Sequence, residues 1–437
     1  MIPPATAAPG SPPHVRVRWK IFLFLFGFGF VAYVQQRSIS VAAYQMMPDL
    51  GLSQIQISWL IDAGLLGYTV MQFPGGVLGQ RLGARRAFVV IGLIAILACL
   101  ATPLAPYLVP AGALLGVLLV LQFIAGCAQA PIFPVSAGVF ESWFTPDRWP
   151  LVQGLQSLGL GLGASLTPPL ISRLMTSFDW RRAIVWTTLP ALLLIAWWAW
   201  YGRNSPAEHP RVTRAELAEL GPEPPARTDS GISWGRVRVL LTNRDVLVLT
   251  LSYFCFNYVY YLLATWCFLY LVQERHFSVL EGGWLAGTPP LAAAVGAGIG
   301  GWLASVFGRR YGIRRGLRLL PLLSLPAAAL LQYLAVDAAN AYLAVLALAL
   351  CFACIEVNEG PYWAAIMHVG RADTMAASGL LNTGGNAGGL LTTPIVGYLT
   401  QQHRWTLTFL IGTGCALLAA AGWLLVDPTR RVGSPEH

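Results

Sequence analysis

The sequence predicts an all-α membrane protein of twelve transmembrane helices in two pseudo-symmetric six-helix bundles. Three observations carry that prediction. Of 437 residues, 56% are apolar and only 11% charged, where a soluble chain carries about a quarter charged. Apolar runs of about 20 residues, enough to cross about 30 Å of hydrocarbon, recur from end to end. The two halves of the chain also repeat one another at a single constant offset.

Residues 1–18 are rich in Pro and Ala and lead into an apolar run with no small-residue cleavage site. They read as a disordered cytoplasmic tail, not a signal peptide. Six spans follow, at 20–45, 54–79, 86–107, 110–141, 149–173 and 180–202, forming an N-terminal bundle over 19–202. Residues 203–243, with Pro206, Pro210, Pro222, Pro224 and Pro225 among mixed charges, read as a cytoplasmic linker. The second bundle, 244–428, holds spans at 245–272, 280–307, 316–336, 339–368, 374–401 and 405–426, and 429–437 is a short cytoplasmic tail. Spans longer than 20 residues must tilt or extend past the lipid.

Charge placement gives a direction. Of 28 Lys and Arg, only Arg173, Arg181, Arg182, Arg275 and Arg404 fall between odd-to-even spans, and Arg37 lies inside one. All others fall at the termini, in the linker or in the even-to-odd loops. The positive-inside rule therefore places both termini in the cytoplasm. The formal charge of +9 is an insertion signal and not a nucleic-acid surface. All seven cysteines lie in apolar stretches, which argues against disulfides; Cys351 and Cys354 form a CxxC without further ligands, so no metal or cofactor is expected.

The halves align at a shift of 225 residues. Ser53, Trp59 and Leu60 match Ser278, Trp284 and Leu285, and Gly76, Leu78, Gly83 and Arg85 match Gly301, Leu303, Gly308 and Arg310. Gly154, Leu155, Gly159, Gly163, Thr167 and Pro169 match Gly379, Leu380, Gly384, Gly388, Thr392 and Pro394; Trp180 and Trp198 match Trp405 and Trp423. Two parallel six-helix repeats imply rocking about a shared central cavity, as in alternating access. The repeated glycines serve either close helix packing or hinges.

Arg37 is the most informative side chain. An arginine within a span costs several kcal/mol or more and faces the protein interior. At 100° per residue, Tyr33, Arg37, Ser40 and Tyr44 share one face of the first span. Guanidinium offers a planar fork for a carboxylate; the alternative is a structural arginine paired with a buried acid. Tyr68 and Gln72 share a face of span two, and Tyr253, Asn257 and Tyr260 share one of span seven, flanked by Tyr261. Asn382 and Asn386 sit among glycines in span eleven. Near the middle of span ten, Glu356, Glu359 and Trp363 share a face. Two neighbouring carboxyls suit a proton carrier, or else a salt bridge to Arg37 or a tie to another helix. Asp62, in the outer part of span two, is a third coupling candidate.

The turn Gly76-Val-Leu-Gly-Gln80-Arg81-Leu-Gly83-Ala-Arg85-Arg86 resembles the cytoplasmic loop motif of the major facilitator superfamily. There an acid and the following arginines latch the cytoplasmic side. Here the acid is Gln80, and the second-half copy carries Ser305. From Trp19 to about Pro428 the chain is similar to the anion:cation symporter family of sugar-acid, phthalate-type and sialin-like permeases. The similarity rests on Arg37-Ser-Ile-Ser-Val-Ala-Ala43, Met47-Pro-Asp-Leu-Gly-Leu-Ser53, Gly67-Tyr-Thr-Val-Met-Gln-Phe-Pro-Gly-Gly76, Trp143-Phe144, Thr265-Trp266, Tyr270-Leu-Val272 and Asn382-Thr-Gly-Gly-Asn-Ala-Gly-Gly389.

The resemblance implies a major facilitator fold in the inner membrane, with the first-span arginine binding the substrate anion and Tyr68 and Asn382 touching it. It also exposes a departure. Where proton symporters of the family carry acids beside that arginine and before the Ala-Pro of span four, this chain has Gln36 and Gln129, and Ala137 and Gly138 replace a further Asn-Arg pair. The expected function is transport of a small organic anion, coupled to a proton or another cation, by a monomer in the bilayer. Uncoupled diffusion or anion exchange is the first alternative and efflux of amphipathic compounds the second, although Gly163 is followed by Ala164 and not by the proline common in drug–proton antiporters. A sensor lacks room for an output domain in so short a linker. An enzyme lacks a metal-ligand cluster or a nucleophile–base pair.

Overall fold

The structure is a computed structural model in which residues 16–220, 233–277, 285 and 287–430 are described. Ser278 and Trp284 of the repeat, the expected start of the eighth span at 280, and most of both tails lie outside those residues. Among the described residues the secondary structure is entirely helical. The spans are α1 (Val17–Leu50), α2 (Gln54–Leu82), α3 (Ala84–Leu108), α4 and α5 (Ala111–Gln129 and Ile132–Trp143, one broken span), α6 (Trp149–Ser177) and α7 (Trp180–Tyr201). Two short linker helices follow, α8 (Arg214–Leu220) and α9 (Trp234–Thr242). The second six are α10 (Arg244–Gln273), α11 (Thr288–Tyr311), α12 (Ile313–Asp337), α13 and α14 (Ala341–Glu356 and Glu359–Gly370, again one broken span), α15 (Thr374–Gln401) and α16 (Trp405–Leu425).

Local chemistry explains where the helices start. Ser53 and Gln56 close a capping box at α2, and the side chains of Asp179, Ser233, Asn243 and Asn340 accept from backbone N–H groups that open α7, α9, α10 and α13. Each satisfies donors that a helix leaves unpaired in its first turn. Leucines such as Leu97, Leu193, Leu251, Leu346 and Leu418 are exposed on the outer helices, as a lipid-facing belt requires.

The two bundles meet chiefly along α2–α15 and α6–α11. Neither α2 nor α6 falls within the nine stretches among the described residues that are long and apolar enough to cross a membrane by composition alone, because both spend their residues on glycines and amides at the seam. The 225-residue repeat reappears there as geometry. A Cβ on Gly76 would stand 2.3 Å from the Met375 carbonyl oxygen, and one on Gly301 would stand 2.4 Å from that of Pro150. One on Gly379 would stand 2.6 Å from the Gln72 carbonyl oxygen, and one on Gly154 2.4 Å from that of Ala297. Each second-half residue is its first-half counterpart plus 225, so the seams are copies of one another. Of the two uses open to these repeated glycines, close backbone packing is what the structure shows.

These seams close the linker face of the molecule. Gln80 donates through Nε2 to the Ala372 carbonyl, and Ser305, its repeat partner, accepts from the backbone N–H of Leu151 at 3.1 Å. Two neutral hydrogen bonds thus span the bundles at the turn expected to latch this face. Arg85 instead ties α3 to the linker side: its N–H donates to Asn204 and its guanidinium to the Ala199 carbonyl. Gly83 turns the chain at φ +73°, where an L side chain is strained. Arg86 is exposed. Across the face Arg309 pairs with Asp147 at 3.3 Å, and the Trp149 and His368 rings lie 4.6 Å apart.

The expected N-terminal tail boundary shifts. Helix α1 already runs from Val17, inside the stretch read as a tail, and Arg18 is wholly buried. Its Nε lies 3.1 Å from Glu216 and its Nη2 3.0 Å from Glu219, so α8 is strapped to the foot of α1. Burial pushes the Glu219 carboxyl up, but Arg16, Arg18 and Arg148 together hold it below its ordinary range. Removing both partners, in Glu216→Ala/Glu219→Ala, strands the buried Arg18 charge and is expected to destabilise the protein by about 3–5 kcal/mol. A lowered unfolding midpoint of the detergent-solubilised protein, absent for Asp147→Ala at the exposed pair, is the check.

Candidate functional site

Both broken spans break beside the central cavity. Span four is interrupted at Ala130 and Pro131, and span ten at Val357 and Asn358. Pro131 has no N–H to carry the helix on. At the second break Asn358 donates from Nδ2 to the carbonyls of Cys354 and Ile355, supplying donors where the ladder stops. Discontinuous helices at corresponding places in two halves mark a transport site. Sequence reading passed over Asn358; its position three residues before Pro361 was the available signal.

The cavity encloses about 540 Å³ and opens toward the end away from the linker, within the size range of small-molecule sites. The first bundle contributes Tyr33, Arg37, Tyr68 and Phe133 to its wall; the second contributes Tyr253, Asn257, Tyr260, Tyr261, Phe352, Glu356, Glu359, Trp363, Asn382 and Asn386. Phe133 and Trp363 meet across the bundles with centroids 5.6 Å apart. Phe133 and Phe352 were not foreseen, because an aromatic residue in an apolar run carries no signal of the cavity it faces.

The polar groups divide into two poles. On α1, Arg37 reaches the cavity, and among the described residues its guanidinium has neither a hydrogen bond nor an acid within ion-pair distance. On the opposite bundle, Glu359 accepts from Tyr253 Oη at 2.9 Å and from Trp363 Nε1 at 2.7 Å, one donor to each oxygen. It also stands in the first turn of α14, where the helix dipole favours a negative charge. Glu356 ends α13 and lines the same wall, with no hydrogen bond to its carboxylate among the described residues. The salt bridge from these glutamates to Arg37 that the sequence left open is absent from this arrangement.

Amides fill the space between. Tyr261 Oη donates to Asn386 Oδ1 at 3.0 Å, and Asn386 Nδ2 donates to the Asn382 carbonyl at 2.8 Å, so Asn386 couples α10 to α15. Asn257 donates to the Tyr253 carbonyl at 3.0 Å.

Some expected residues stand elsewhere. Gln72 is fully buried at the α2–α15 seam and does not line this cavity, because the face it shares with Tyr68 runs down into the closed end. Tyr44 is 79% exposed, since α1 extends beyond the cavity, and Ser40 turns back to the Arg37 carbonyl. Asp62 is exposed and lines a side chamber of about 270 Å³, together with Gln36, Gln129 and the other side of Arg37. The two glutamines that replace the acids of the resembled symporters thus stand in one chamber beside the arginine, on the bundle opposite the glutamate pair.

A sequence profile of the Major Facilitator Superfamily matches residues 25–373. The chain belongs to that superfamily. Curated relatives cover nearly its whole length. "Probable sulfoacetate transporter SauU" of Cupriavidus necator is 27% identical over 432 residues, 97% of each chain. "Probable galactarate/D-glucarate transporter GudP" of Bacillus subtilis is 26% identical, over 95% of this chain and 93% of that one. "Hexuronate transporter" of the same organism is 24% identical, over 89% and 90%. Among solved structures, the E. coli fucose:proton symporter FucP superposes with a TM-score of 0.70 at 16% identity, covering 94% of this chain and 99% of its own. The proton:xylose symporter XylE gives 0.72 at 15%, covering 92% and 94%. The chain is a multi-pass inner-membrane protein with the twelve-helix fold of these transporters, and not an enzyme.

Proposed function

We propose that this superfamily member carries a small organic carboxylate or related anion across the membrane by alternating access, with Arg37 as the anion receptor. One observation carries the reading. A guanidinium set within a span, exposed in an open cavity and without a protein counter-ion among the described residues, keeps its donors free for the negative charge of a ligand. The relatives named for sulfoacetate, galactarate or glucarate, and hexuronate support the same class of cargo. Tyr33, Tyr68, Asn257 and Asn382 then offer hydrogen bonds to the rest of the ligand from both bundles, so ligand binding draws the bundles together. Gln72 meets such a ligand only if the seam it now occupies opens. Both termini are taken as cytoplasmic from the arginine bias, which makes the cavity outward-facing.

Coupling to a proton or another cation is assigned to the Glu356–Glu359 pair, the acids in the cavity wall, with Asp62 lying apart from them in the side chamber. Uptake of labelled sugar acids, aromatic acids and sulfonates into proteoliposomes, with and without an imposed pH gradient, tests the proposal. Transport of at least one such anion is expected; movement of neutral amphipathic compounds with no anion carried would overturn it. Glu359→Gln is expected to leave anion counterflow intact and to remove the pH-gradient stimulation, by tenfold or more. Gln36 and Gln129 favour a second reading, an uncoupled facilitator or anion exchanger, and stimulation that is absent already in the unaltered protein would establish it.

A further inference from the structure

The cavity wall carries one cation and two acids among the described residues, and that imbalance constrains the cargo beyond its being an anion. We propose that Glu356 is a specificity residue that limits the cargo to a single negative charge. In this reading Arg37 takes the anionic end, and the far end must donate hydrogen bonds, from a hydroxyl or an ammonium group. The inference rests on Arg37 as the anion receptor.

Geometry makes Glu356 and not Glu359 the reader of that far end. Both oxygens of Glu359 are already engaged, by Tyr253 and Trp363. Glu356 has no such partner, although it lines the cavity and is only 7% exposed. A buried acceptor without a donor is costly, and a ligand that brings one relieves the cost. A ligand that brings a second carboxylate adds negative charge beside an acid pair that has no cation next to it in a low dielectric, and is rejected; this is discrimination by repulsion and not by fit. Tyr260 packs on Phe352 with centroids 5.2 Å apart and lines the same cavity, so a carbon backbone or ring joining the two ends has aromatic walls to lie on. The second charge carried by an aldarate or by sulfoacetate has no cation waiting for it among the described wall residues.

Matched pairs that differ only at the far end test this directly: galactonate against galactarate, isethionate against sulfoacetate, and 4-hydroxybenzoate against terephthalate. Binding to the full-length purified protein is read by ligand-induced thermal shift and by competition in proteoliposome counterflow. In every pair the protein engages, the hydroxyl-bearing monoanion is expected to bind at least tenfold tighter than the dianion. Glu356→Gln is expected to narrow that gap to threefold or less, because its amide can donate to a second carboxylate, whereas Glu356→Asp keeps the gap. An unliganded unfolding midpoint equal to that of the unaltered protein shows that the variants are folded. Dianions bound as well as monoanions by the unaltered protein, or a gap unmoved by Glu356→Gln, would overturn the proposal. Failure of both members of all three pairs would instead remove the anion-receptor reading on which it stands.

Discussion

Arg37→Ala is expected to abolish measurable transport, with substrate affinity falling roughly thirtyfold to several-thousandfold. The range follows from the cost of truncating one partner of a buried, hydrogen-bonded charge pair, about 2–5 kcal/mol. Arg37→Lys keeps the charge but loses the two-pronged donor geometry, so it should fall between the two. The same substitution should not harm the fold. Because Arg37 has no protein partner among the described residues, its removal orphans no carboxylate, and the unliganded unfolding midpoint is expected to hold or rise. Isothermal titration with a transported anion, beside a melting curve without it, checks both halves of the prediction. A structural arginine would give the opposite pattern, lowered stability with binding preserved in the surviving folded protein.

The second large effect is conformational. Gly76→Ala sets a methyl group 2.3 Å from the Met375 carbonyl oxygen, and Gly301→Ala one 2.4 Å from that of Pro150. Backbone atoms cannot be displaced as a side chain can, so the linker face must part. An overpacked contact costs about 1–3 kcal/mol, a shift of roughly 5- to 150-fold between closed and open linker faces. Spin labels at Arg86 and Tyr311, exposed on opposite bundles at equivalent positions of the repeat, should report a longer distance in either variant. Transport should fall in both, since a face that cannot close cannot complete the cycle. Gly116→Ala, where nothing lies within 4 Å of the added carbon, should leave the distance and the rate alone. An unchanged distance in the seam variants would mean that those contacts do not hold the face shut.

Much of this molecule was legible before any contact was known, and the reasons are physical. Lipid demands helices of a set length and apolar character, so the twelve spans stand out in composition. Duplication left its record in identities such as Gly76 with Gly301 and Gly154 with Gly379. An arginine inside a span is too costly to be idle, which singled out Arg37. What periodicity conveys less well is depth. Tyr68 and Gln72 share a helix face, yet one lines the cavity and the other is sealed in a seam one turn further down. Tyr44 likewise shares a face with Arg37 and stands beyond the cavity mouth.

By itself, then, the sequence determined the fold class, the two-bundle repeat, the bias of basic residues to one side and the presence of a charged centre in the membrane. Those properties follow from short-range rules: transfer cost, helix pitch and loop charge. Only the tertiary structure decided which charges face one another. It separated Arg37 from Glu356 and Glu359 instead of pairing them, engaged both oxygens of Glu359 while leaving those of Glu356 without a donor, and drew Gln36 and Gln129 into one chamber. Such relations depend on how helices distant in the chain are turned and tilted against each other, and on the break in span ten that aims Glu356 and Glu359 from the ends of different helices. No local pattern encodes them, and the chemistry of the site rests on them.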